Sequence, residues 1–251
     1  MVRAETQGSL ARIELARLDK KNALTSEMYA QIADALAAAA ANRAVRVVLI
    51  HGSKDCFTAG NDISNFLHRD PSVKSPAFRV FDVLPGLEKP VVAAVGGPAV
   101  GIGTTLLLHC DLVYATPGAR FQLPFVPLGI VPEFGSTYLL PLLAGYQRAA
   151  ELLLLGQPFT AEKAREVGIV TAIVRDDELI ATAEEAARKL AELPPESIRL
   201  TKRLMKSVHA AAVGKQIAEE ARIFGERLTS PEAKEAMSAF LEKRKPDFSR
   251  F

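Results

Sequence analysis

The stretch Val91-Val92-Ala93-Ala94-Val95-Gly96-Gly97-Pro98-Ala99-Val100-Gly101-Ile102-Gly103-Thr104-Thr105-Leu106-Leu107-Leu108-His109-Cys110-Asp111-Leu112-Val113-Tyr114-Ala115 decides the fold. A short, continuous, valine-rich apolar run reads as a buried strand. A Gly-rich turn follows, then a predicted helix over 103–109, then a second strand at Leu112 to Ala115. Strand, turn, helix, strand is the unit of layered α/β folds. The uncharged run from Pro90 to Leu108 is nearly long enough to span a bilayer and contains Gly97-x-x-x-Gly101. However, Gly96-Gly97-Pro98, Gly101 and Gly103 would interrupt the backbone pairing that a lipid-exposed helix requires, so a membrane span is rejected. A dinucleotide-binding turn fails too. The third glycine of its G-x-G-x-x-G pattern would fall at Leu106, and the unit lies far from the first strand.

Upstream, Leu10, Ala11, Ile13 and Leu15 suggest a strand behind a Gln7-Gly8 hairpin turn. Thr25 then caps a predicted helix with apolar Met28, Ile32, Ala35, Leu36 and Ala39 at helical spacing. A β-branched strand at Val45 to Ile50 delivers the chain into the loop His51 to Gly60, the kind of loop that carries function. From Asp62 to Ser75 the pattern is polar and irregular, and a helix is predicted over 78–87. Downstream the chain turns helical, over 136–143, 147–155, 161–166, 178–193, 197–206, 211–228 and 231–243, with one strand at 170–174. No linker or internal period divides these parts. The expectation is an α/β fold, with a core over residues 1–195 and a helical C-terminal extension over 196–251.

The 251 residues are 49% hydrophobic, enough for a large core. Lys and Arg number 31 against 29 for Asp and Glu, a net charge of +2 that gives no field to attract nucleic acid or anionic lipid. Cys56 and Cys110 form no C-x-x-C pair, which fits a reducing, cytoplasmic setting. His51, His68, His109 and His209 have no metal-ligand spacing, so no metal is expected. The start Met-Val-Arg-Ala-Glu-Thr-Gln has no apolar region of the secretory kind.

Three segments carry candidate chemistry: Phe57-Thr58-Ala59-Gly60-Asn61-Asp62-Ile63, Gly96 to Gly103, and Leu128-Gly129-Ile130-Val131-Pro132-Glu133-Phe134-Gly135-Ser136. In this order they resemble the crotonase superfamily. The resemblance runs from Lys21-Asn22-Ala23-Leu24 to the ending Ala239 to Phe248. It implies a spiral ββα core and a homotrimer or dimer of trimers, with the helical extension contributing to trimerisation and to the acyl-CoA site. It also implies an acyl-CoA thioester substrate, with no cofactor beyond the coenzyme A that the substrate carries. By the same resemblance, the backbone N–H groups of Ala59 and Ile102 grip the thioester oxygen. Small neighbours and two preorganised donors suit that task.

The hydratase branch of the family holds a water between two carboxylates, and those positions fall here on Thr105 and Phe125, neither of which can transfer its proton. The chain offers Glu133 instead, amid apolar residues that raise a carboxylate's pKa. Its context, with Ala59-Gly60-Asn61-Asp62 and Ser64-Asn65-Phe66, looks most like the peroxisomal-type enoyl-CoA isomerases, whose catalytic glutamate occupies this position. The competing reading of Glu133 is a first-turn glutamate favoured by the helix dipole. The resemblance further implies substrate contacts at Lys21, Ala59, Gly60, Asn61, Asp62, Ile63, Gly101, Ile102 and Phe125. Asp62 also reads as a loop brace. Lys20, Lys21 and the tail Lys243-Arg244-Lys245 read either as solvated charge or as groups near the phosphates and adenine of coenzyme A. Alternatives that stay open are other crotonase chemistries (hydratase-like, ring isomerisation, dehalogenation, thioester hydrolysis) and a non-catalytic acyl-CoA binder.

Overall fold

The computed structural model describes residues 1–62 and 76–251. Among them, six strands form the larger sheet in the order β1-β2-β3-β4-β6-β9. These are β1 (Val2–Gln7), β2 (Leu10–Leu15), β3 (Val47–His51), β4 (Val91–Val95), β6 (Leu112–Ala115) and β9 (Ala172–Ile173). β1 and β2 make an antiparallel hairpin at the expected Gln7-Gly8 turn, and every later pairing in this sheet is parallel. The hairpin's first strand is almost wholly exposed, so it carries no apolar alternation for sequence reasoning to find.

All five residues of β3 and all five of β4 are buried, as parallel strands covered on both faces should be. Val47, Leu49, Val92 and Ala94 pack under Leu179, Ala183 and Ala187 of the helix Leu179–Glu192. Val48, Ile50, Val91, Ala93 and Val95 face the main core with Phe57, Ala99 and Phe121. That core lies between the larger sheet and a smaller one made of β5 (Pro98–Val100), β7 (Arg120–Gln122) and β8 (Phe159–Thr160). The Gly-rich turn of the deciding stretch therefore hides a strand, β5, which pairs parallel to β7. Three residues between two glycine pairs are too few to declare themselves by periodicity.

The C-terminal part differs from expectation in one respect. The helices foreseen over 197–206 and 211–228 are a single helix, Pro195–Leu228. Its first half is held by polar contacts: Lys202 Nζ meets Asp111 Oδ2 at 2.6 Å and the Lys89 carbonyl at 2.7 Å, and Arg199 meets Glu88 at 2.8 Å. Its second half buries Val213 and packs Ile217, Phe224 and Leu228 against the main core. Polar anchors such as Lys202 and Arg199 leave no hydrophobic stripe in the first half, so the sequence does not show that the two stretches are continuous. The helix Pro231–Leu241 follows, capped by Ser230. Among the described residues, no helix is long and apolar enough to cross a membrane, and no group of three or more His, Cys, Asp and Glu could hold a metal ion.

Candidate active site

The segment Lys21-Asn22-Ala23-Leu24 and the loop Phe57 to Asp62 are zipped together. Lys21 and Asn22 both adopt left-handed backbone angles, with φ of 49° and 54°. This turns their carbonyls onto the loop: the Lys21 oxygen accepts from Ala59 N–H at 2.9 Å, and the Asn22 oxygen from Thr58 Oγ1 at 2.7 Å. The Asn22 side chain donates to the carbonyls of Cys56 and Phe57. Leu24 N–H then donates to Gly60 O at 2.8 Å, and Leu24 O accepts from Asp62 N–H at 3.0 Å. Asp62 also accepts from Arg17 at 2.8 Å, so it braces this loop.

These bonds correct one expectation. The Ala59 amide is already donated to Lys21, which leaves it no proton for a substrate oxygen. The next amide in the loop differs. In a parallel bridge between Leu24 and Asn61, the bonds run through Gly60 O and Asp62 N, so the Asn61 N–H points to the other side. Among the described residues it has no acceptor. On that other side lies the segment Pro98 to Ile102, paired in parallel with the loop through Thr58 and Ala99. Continued three residues along both chains, this register sets Asn61 level with Ile102. The approach is close: a Cβ on Gly60, whose φ is 90°, would stand 2.7 Å from the Val100 carbonyl oxygen, so only glycine fits there.

Ile102 opens the short helix Ile102–Thr105, and its N–H has no acceptor among the described residues. Asn61 and Ile102 both line a cavity of about 360 Å³, with Ala59, Gly60, Gly101 and Phe125 in its walls. Phe224, Phe240 and Arg244 from the C-terminal helices and tail complete it. Of the basic tail, then, Arg244 reaches the cavity. It is already bound to Glu235 and Glu242, each at 2.5 Å. The Lys21 side chain is exposed, and its part in the loop is through the backbone. Ile63 lies outside the described residues, as do residues 64–75.

Glu133 is not among the described residues that line this cavity. It is buried at 7% exposure, and Thr105 Oγ1 donates to its Oε1 at 2.5 Å. Thr105 ends the helix that Ile102 begins, three residues and roughly 4.5 Å of helix axis away. Burial pushes the Glu133 carboxyl up to about 8, with the Thr105 bond pulling down and the charge of Glu220 pushing further up. Tyr29, on the core face of the helix Ser26–Ala41, donates its hydroxyl to Asn61 Oδ1 at 2.6 Å. Its pKa is raised by burial and then by the charge of Glu133, so the phenol stays protonated within that carboxylate's field. Glu133, Thr105, Ile102, Asn61 and Tyr29 thus form one neighbourhood. Tyr29 and Glu220 escaped sequence reasoning: a tyrosine at a core position and a glutamate on a charged helix look ordinary until folded.

Two unoccupied amides beside a buried, protonatable carboxylate suit chemistry at a carbon next to a carbonyl. The family model described as Enoyl-CoA hydratase/isomerase matches residues 5–250. The chain belongs to the enoyl-CoA hydratase/isomerase family. It is an acyl-CoA enzyme of the crotonase superfamily, and its sheets and helices are those of that fold. The 1,2-epoxyphenylacetyl-CoA isomerase of Escherichia coli is 36% identical over 249 residues, covering 94% of both chains. Enoyl-CoA delta isomerase 2 of Rattus norvegicus is 34% identical over 246 residues, covering 95% of this chain and 63% of its own. Relatives named as hydratases match over the same span. Among solved structures, that of Pseudomonas aeruginosa OdaA superposes with a TM-score of 0.93 at 50% identity, covering 96% of this chain and 98% of its own.

Proposed function

We propose that this crotonase is an enoyl-CoA isomerase that moves a β,γ double bond of an acyl-CoA thioester into conjugation with the carbonyl. The observation that carries the reading is Glu133, buried and bonded to Thr105, with Phe125 where a second acid would be needed to activate water. The other carboxylate that acts on it, Glu220, has both oxygens committed to Gly135 and Thr137. In the proposed reaction the thioester oxygen accepts from the N–H groups of Asn61 and Ile102, Asn61 standing in for the Ala59 of the sequence reading. Ionised Glu133 takes a proton from the α-carbon. The electron pair spreads over the dienolate, and the Glu133 acid returns the proton to the γ-carbon. One group serves as base and then as acid, and no cofactor beyond the substrate's coenzyme A takes part. A pKa near neutrality suits both steps.

The test is ultraviolet detection of conjugated enoyl thioester formed from a β,γ-unsaturated acyl-CoA, as a function of pH. Glu133 must be ionised to act, so kcat/KM is expected to rise about tenfold per pH unit below pH ~8 and to level off above it. A flat profile between pH 6 and pH 9, or turnover only with α,β-enoyl-CoA and water, would exclude the proposal. A second reading, rearrangement of a ring epoxide thioester, is favoured by the Escherichia coli relative, and a substrate panel separates the two.

By family resemblance we also propose a homotrimer or a pair of trimers in a cytoplasmic setting. Leu142, Leu143 and Tyr146 are exposed, as are Leu204, Met205 and Val208 on the helix Pro195–Leu228, and a second copy of the chain would cover such apolar faces. The mass in solution should be three or six times that of the chain; a monomer at micromolar concentration would contradict it.

A further inference from the structure

The turn that presents Glu133 is held from outside. Phe134 and Gly135 have successive φ of 62° and 75°, and the left-handed region disfavours a residue with a Cβ by about 1–2 kcal/mol. Gly135 is the N-cap of the helix Ser136–Ala144 and has no side chain with which to cap it. Two distant groups secure this turn. His109 Nε2 lies 2.8 Å from the Phe134 carbonyl oxygen, and the His109 and Phe134 rings lie 4.1 Å apart. Burial pushes the His109 pKa down to about 4, so its ring is neutral and serves as an N–H donor.

The second group is Glu220, in the helix Pro195–Leu228. It accepts from Gly135 N–H at 2.5 Å, from Thr137 N–H at 2.9 Å and from Thr137 Oγ1 at 2.5 Å. Gln216, one turn earlier on the same helix, donates to Thr137 Oγ1 at 2.7 Å. Glu220 is 4% exposed and has no ion-pair partner among the described residues. A serine at the N-cap would satisfy the Thr137 amide locally and without burying an uncompensated charge. Capping alone therefore leaves the choice of a buried carboxylate from another helix unexplained. Its position behind the reactive turn supplies a reason.

We propose that Glu220 is a positioning residue for the reaction: its buried carboxylate fixes the Phe134–Gly135 turn, hence the aim of Glu133, and sets a negative charge behind that acid. The inference rests on Glu133 being the acid–base. A like charge disfavours ionisation of Glu133, which strengthens it as the acid that must return the proton to carbon. The other ionisable groups facing this neighbourhood are Tyr29, held protonated, from the helix Ser26–Ala41, and neutral His109, with Lys202 and Lys206 beyond it. Burial pushes the pKa of Glu220 itself up, against which the uncharged donors of Thr137 and Gly135 pull it down.

The test is a pH titration of the Glu133 carboxyl by infrared difference spectroscopy, its band assigned by loss in Glu133→Gln, alongside kcat and KM. In Glu220→Gln the Glu133 midpoint is expected to fall by roughly one unit, as removal of a like charge requires. The kcat should fall about tenfold or more with KM within about twofold. Glu220→Asp keeps the charge but shortens the reach, so it should leave the midpoint within a few tenths of a unit and still lower kcat. A midpoint unchanged in Glu220→Gln overturns the proposal. Should that variant fail to fold, a wild-type kcat in Glu220→Asp does so. A wild type without isomerase turnover would sink the function proposed above while leaving the midpoint comparison readable.

Discussion

Glu133→Gln is expected to lower the rate of β,γ to α,β conversion by about two to four powers of ten, as for loss of a general acid–base. KM should change little. The amide keeps the shape of the acid and can still accept from Thr105, whose hydroxyl lies 2.5 Å from Oε1, but it cannot carry a proton between two carbons. Stability separates this effect from misfolding. The folded pKa of Glu133 is raised to about 8, so its favourable contribution is complete below the ordinary carboxylate range and is lost as pH rises through about 8. Glutamine has no such loss, and the variant should melt no lower than the wild type at pH 8.5. A variant that keeps its Tm and loses its turnover places the effect in the chemistry. One that keeps turnover removes Glu133 from the mechanism.

An amide-to-ester replacement at residue 61, made by incorporating the α-hydroxy analogue of asparagine, is expected to lower kcat by about 10²–10³. That is the usual effect of deleting one oxyanion donor, about 3–4 kcal/mol of barrier. The same replacement at residue 59, with lactic acid, removes the bond to the Lys21 carbonyl. It should cost stability of about 1 kcal/mol and leave kcat near that of the wild type. The comparison removes one N–H at each position without touching a side chain. The opposite order, with the ester at 59 the slower enzyme, would restore Ala59 as the donor and contradict the hydrogen bonds of this loop.

Much of the scaffold was legible because its strands are buried on both faces. The runs at β3 and β4 could hardly be anything else, and the valines that reveal them also fill the two cores. The helix Ser26–Ala41 declared itself by a threonine cap, Thr25, that the structure bears out. Position in the site was harder to read. Glu133, Ile102 and Phe125 stood out through local composition and family likeness, whereas the choice between Ala59 and Asn61 turned on where the Lys21 carbonyl points. That is set by two consecutive left-handed residues, a feature with no signature in the residue types Lys and Asn beyond a mild tolerance for such angles. Tyr29, Thr105 and Glu220 act across 28 to 85 residues of chain, and no local pattern records contacts at that range.

The most direct measurement is a crystal structure with an unreactive analogue of a β,γ-unsaturated acyl-CoA bound. The account predicts the thioester oxygen within hydrogen-bonding distance, about 3 Å, of both the Asn61 and Ile102 nitrogens, with the Glu133 carboxyl against the α- and γ-carbons. A thioester oxygen bound elsewhere, or an acyl chain whose reacting carbons lie beyond reach of Glu133, would contradict it.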